Sequence, residues 1–143
     1  ETAPPPLPTL QSTVLGTSCG GQISLSTTTL QFDQAFDVVL TGGTPNAEAF
    51  LLIGYSDSGF LGTLLPFDLT LFGAPGCSIF VEPAGAASVT LDAAGSGRVT
   101  ETIPGSVARF ISLYGVFAQW GYEANNANAL NLLFSDYVAI TTL

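Results

Sequence analysis

Residues 22–32 read QISLSTTTLQF, and the side chains alternate in character. In an extended chain Ile23 and Leu25 face one way while Ser24 and Ser26 face the other. That period of two marks a half-buried β-strand. The pattern returns at once in AFDVVLT (35–41), where Phe36, Val38 and Leu40 share a face. TGGTPNAE (41–48) is a loop by its Gly, Pro and Asn. EAFLLIGY (48–55) is a near-continuous apolar run of strand length.

Working outward, the punctuation repeats every 8–12 residues or so, the rhythm of a sandwich. PFDLTLFG (66–73) reads as a strand with Phe67, Leu69 and Leu71 on one side, closed by a GAPGC turn (73–77). CSIFVEP, ASVTLDA and GRVTETIP read as three more, with AAGSG (93–97) as a hairpin loop between the last two. RFISLYGVFAQWGYE (109–123) is apolar on both faces, as a central strand would be, and LLFSDYVAITTL (132–143) is the last. No long stretch shows a helical period. The expectation is an all-β chain: an immunoglobulin-like or jelly-roll-like sandwich of about eight or nine strands at residues 17–143, behind a proline-rich extension at residues 1–16.

That extension is ETAPPPLPTLQSTVLG. Six polyproline-like residues, 3–8, span roughly 20 Å at ~3.1 Å each. Behind them Thr9, Leu10, Gln11, Ser12, Thr13, Val14 and Leu15 form a candidate donor strand, able to pair with the open sheet edge of another copy. The competing reading makes the same residues the first strand of the chain's own sandwich. Cys19 and Cys77 are the only cysteines. An even count in a secreted chain favours a disulfide, and the absence of Met with an Ala-Pro-rich start predicts a removed signal peptide.

Composition narrows the function. Charged residues make up 9% of the chain, against about 25% in soluble domains. The hydrophobic share is ordinary, so Ser, Thr, Gly and Asn stand where charges usually do. Such a surface suits faces covered by other copies. Arg98 and Arg109 are the only cations against eleven acids, giving a net charge of −9. Nucleic-acid binding needs clustered Lys and Arg, which this chain lacks. Residues 59–76, the most apolar stretch, are broken by Pro66, Asp68 and Pro75, so no membrane-spanning helix is expected.

There is no His and no Lys, which removes Ser-His-Asp, Cys-His and Ser-Lys arrangements. Pairs drawn from Asp33, Asp37, Asp57 and Glu101 could serve glycoside hydrolysis, and Asp57 and Asp92 beside glycines could suggest calcium. Solvated acids at turns account for all of these, so no enzyme, metal or cofactor is expected. Tyr114, Trp120 and Tyr122 have the aromatic and amide neighbours of a sugar-stacking platform, while large aromatics more often fill a core or a subunit contact.

The C-terminal eighty residues also resemble the small secreted surface β-domains of planctomycete and myxobacterial-type bacteria. The matching positions are Phe67-Asp68-Leu69, Gly73 to Cys77, Ile103-Pro104, Gly115 to Gln119 and Ser135-Asp136. Trp120 stands where that family tends to have Ala. The resemblance implies a surface-associated domain without an assigned activity. The expected function is a structural subunit of an extracellular, pilus-like filament whose partners are copies of itself. The alternative is a cell-surface adhesin or carbohydrate-binding module, with a glycan as partner.

Overall fold

The structure, a computed structural model, describes residues 6–27, 29–60 and 62–143. Residues 1–5 of the proline-rich spacer lie outside them. The long strands are β1 (Leu10–Leu15), β2 (Gln22–Leu25), β3 (Ala35–Thr41) and β4 (Glu48–Gly54). Four short ones follow: β5 (Gly59–Phe60), β6 (Thr63–Leu64), β7 (Phe67–Asp68) and β8 (Ser78–Ile79). Then come β9 (Gly85–Thr90), β10 (Gly97–Thr102), helix α1 (Ala108–Tyr114), β11 (Val116–Glu123) and β12 (Leu132–Thr142).

These make an all-β sandwich. One sheet has five strands in the order β1-β12-β11-β4-β9, the other three in the order β10-β3-β2, and every pairing is antiparallel. The alternation read at residues 22–25 and 35–41 sets their faces. Ile23, Phe36, Val38 and Leu40 enter a core shared with Leu51, Ala118, Trp120 and Val138 of the opposite sheet.

β11 and β12 are apolar on both faces because they are covered on both. The chain between β4 and β9 is broken by Pro66, Pro75 and Pro83 and folds over the outer face of the larger sheet. Val81 and Phe80 pack on Phe117, Ala139 and Tyr137, while Leu69, Ala74 and Cys77 pack on Phe134. The layer lies very close at Gly54, where a Cβ would stand 1.9 Å from the Glu82 carbonyl oxygen.

Gln119 ties the layers together. Its Oε1 accepts the Phe80 N–H at 2.9 Å, and its Nε2 donates to the Ser78 and Ser135 carbonyls, each at 2.9 Å. A buried amide with its hydrogen bonds made holds strongly, because releasing one partner leaves others dry and unpaired. Opposite Trp120, β12 carries one residue more than β11, a bulge at Ser135–Asp136. There the Ser135 hydroxyl accepts the Trp120 N–H at 3.0 Å, and the Asp136 carboxylate accepts the Ile23 N–H at 2.9 Å, joining β2 to the larger sheet.

Three expectations change. Residues 109–114 are helix, not strand. Gly115 (φ +77°) ends that helix and frees the chain to start β11 at residue 116. PFDLTLFG is a strand only at residues 67–68. A 3₁₀ turn at Thr70–Phe72 follows, burying Leu69 and leaving Leu71 exposed. AAGSG is not a hairpin loop within one sheet, because β9 and β10 belong to different sheets and the loop crosses the sandwich.

Candidate functional site

Thr9 to Leu15, the candidate donor strand, runs along β12 of the same chain, from Leu10 opposite Thr142 to Leu15 opposite Tyr137. It is held lightly. Only Leu10 is buried, while Val14 and Leu15 are 51% and 40% exposed. The Leu143 N–H donates to the Thr9 carbonyl at 2.9 Å. In an antiparallel pair the bonded residues alternate, so Gln11, Thr13 and Leu15 face β12. The backbone groups of Leu10, Ser12 and Val14 then point to the open side, and the Leu10 N–H meets the Leu30 carbonyl there at 3.4 Å.

β9 closes the other end of the same sheet. The Leu91 N–H donates to the Ala47 carbonyl at 2.8 Å, which sets the phase. Val89, Ala87 and Gly85 face β4, and the backbone groups of Ala86, Ser88 and Thr90 point outward. No strand of the described residues pairs with that side. Neither LQSTVL nor GAASVT contains a charge or a proline, the usual guards of a free edge. The smaller sheet differs: β10 carries Arg98 and Glu101, and β2 is held to the larger sheet by Asp136.

The candidate carboxylates are scattered. Asp33 accepts the Gly105 N–H at 2.8 Å, and Asp92 accepts the Ala94 and Ser96 N–H groups at 2.9 Å each. Asp37 accepts the Thr100 hydroxyl at 2.6 Å and stands 3.6 Å from Arg98. Glu101 pairs with Phe36 in the ladder, one step from Asp37, so the two carboxylates leave the sheet on opposite faces. Glu101 lines an apolar cleft of about 160 Å³ beside α1 and is the only acid there among the described residues. Among the described residues no group of three or more acids or cysteines could hold a metal ion.

The three-ring platform does not form. Trp120 is 0% and Tyr122 2% exposed, because even positions of β11 face the sandwich core, whereas Tyr114 on α1 is 58% exposed. The exposed rings that do gather are Tyr55, Phe110 and Tyr114, with centroids 4.9 and 4.8 Å apart along the row. Sequence reasoning missed Tyr55 and Phe110, because the helix that aligns them left no periodic signal.

Cys19 and Cys77 form the disulfide. Among the described residues no helix is long and apolar enough to cross a membrane. No family model, curated protein or solved structure matches the chain. Cys77 in the disulfide, Gln119 in the buried amide network and Ser135–Asp136 in the bulge are joints of the fold.

One titration reports on the covering layer. Tyr137 stacks on Phe80 and donates its hydroxyl to Asp57 at 3.0 Å. Burial, then that hydrogen bond and the carboxylate's charge, push its pKa up to about 12. An unfolded Tyr titrates near 10. The folded state holds the proton more tightly, so its stabilisation is complete below pH ~10 and is lost as pH rises through about 12. Phenolate absorbance should therefore show Tyr137 titrating late. Asp57→Asn should lower its midpoint and leave Tyr122, which burial alone raises, unmoved.

Proposed function

We propose that this chain is a structural subunit of an extracellular filament, assembled head to tail with its N-terminal strand at the contact. One observation carries the reading: the five-stranded sheet ends at both sides in an uncharged, unguarded edge, β1 at one and β9 at the other. Two different edges that fit each other make a contact that does not close on itself, which yields a fibre. The charge-poor surface supports it, as do Leu64, Leu71 and Leu113, which stand exposed. A disulfide suits an oxidising compartment, hence secretion. At −9, copies repel one another, and salt should promote assembly by screening.

Electron micrographs of the purified chain across a salt series are expected to show filaments. A chain lacking residues 1–15 should give none while keeping a folded β spectrum. Normal fibres from the truncated chain would remove the N-terminal strand from the contact. A second reading, a glycan-holding surface module, draws on the exposed row Tyr55, Phe110 and Tyr114, and a glycan array with no hits would end it.

A further inference from the structure

Resting on the filament reading, we propose that its contact is edge-to-edge strand addition: the open side of β1 in one copy pairs, in parallel, with the open side of β9 in the next. Each β1 stays in its own sheet, and the five-stranded sheet continues from subunit to subunit.

Hydrogen-bond valence comes first. β1 offers the backbone groups of Ser12 and Val14 on its open side, and β9 offers those of Ala86, Ser88 and Thr90. Exposed backbone groups of this kind form a template for another strand. The Leu30 carbonyl already occupies the Leu10 N–H, so the new ladder starts at Ser12 and has a fixed end.

Direction comes second. Each neighbour in β1-β12-β11-β4-β9 is antiparallel to the last, so β1 and β9 run the same way. A neighbour that keeps the sheet facing the same side therefore presents β1 parallel to β9. The faces then agree. Val14 lies on the core-facing side of β1 and comes beside Ala87 and Val89, the core-facing residues of β9. Leu15 comes beside the small outward residues Ala86 and Ser88. Both exposed apolar side chains of β1 gain cover, and no charge is buried.

The alternative, in which β1 leaves its own β12 for the neighbour's, breaks one complete ladder to make an identical one. Edge addition adds hydrogen bonds without breaking any. Cys19, bridged to Cys77, also holds the chain only four residues beyond Leu15.

The test uses residues 1–143 in one chain. Val14→Lys on β1 and Ser88→Lys on β9 each place a charge on one edge, at exposed positions where folding should be unchanged by circular dichroism and melting. Each is expected to raise the critical concentration for filaments at least tenfold. Thr102→Lys on β10 should leave it unchanged. Leu15→Lys should weaken assembly as Val14→Lys does, and combined in one chain with Ser88→Glu, whose side chain shares the outer face with it, should recover filaments. A Val14→Cys/Val138→Cys chain, oxidised to lock β1 to β12, should still polymerise. Wild-type filaments that ignore both edge lysines, or that vanish only in the locked chain, would overturn edge addition and leave the filament reading standing. No wild-type filaments at any salt would overturn both.

Discussion

Trp120→Ala is expected to destabilise the chain by about 4 kcal/mol, within the ~3–5 kcal/mol span for removing a buried Trp or Phe. The melting temperature should fall on the order of 10 °C, at roughly 3 °C per kcal/mol for a domain of this size. The ring sits on β11 opposite Leu51 of β4, fully buried in the core between the sheets. Its indole N–H has no partner among the described residues, so its worth is volume and dispersion rather than a hydrogen bond. Trp120→Phe, which keeps a ring and deletes the unpaired donor, should therefore recover more than half of the loss. Tyr114→Ala removes a ring exposed on α1 and should stay within about 0.5 kcal/mol. Chemical denaturation of the three variants separates a core Trp from a sugar platform. A Trp120→Ala chain as stable as wild type would contradict the packing described here.

How much of this was legible in the residues depends on what faced each strand. β2 and β3 have one buried face, so Ile23, Leu25, Phe36, Val38 and Leu40 announced themselves by alternation. β11 and β12 have two, and a continuous apolar run says only that both sides are covered, not by what. The covering layer at residues 55–84 has almost no regular structure, so neither period marks it. Helix α1 was hidden for a related reason. Of its apolar residues only Ile111 is buried, while Phe110, Leu113 and Tyr114 stay exposed, so the stripe that betrays a helix is absent. The sheet edges, where the candidate contact lies, are a matter of strand order. LQSTVL and GAASVT look alike as strands, and only the topology shows that they end the same sheet and run the same way. The bulge at Ser135–Asp136 leaves no pattern either, yet it sets where Asp136 meets β2.

Removal of the Cys19–Cys77 disulfide is expected to lower stability by about 4 kcal/mol, with the largest local loss in the covering layer. The bridge closes a separation of 58 residues, and the entropy released to an unfolded chain by opening a loop of that length corresponds to ~4 kcal/mol. Its position makes the loss uneven. Cys19 donates its N–H to the Phe134 carbonyl at 2.9 Å, and the Phe134 N–H points back at the Cys19 Sγ at 3.2 Å. Cys77 lies in the layer itself, where its carbonyl accepts the Leu69 N–H at 2.9 Å. The bridge thus fastens the 66–80 segment across β12 to the chain just after β1. A Cys19→Ala/Cys77→Ala chain, and wild type under reductant, should unfold at the same lower urea midpoint. Their urea dependence should be steeper, because the unfolded state without the loop exposes more surface. Hydrogen exchange should quicken first at residues 66–80 and along β1, while β3 and β10, which touch neither cysteine, keep protection closer to the global limit. A double variant that loses less than about 1 kcal/mol would show that Gln119 and the apolar contacts of Cys77, Leu69 and Phe134 hold the layer without the bond.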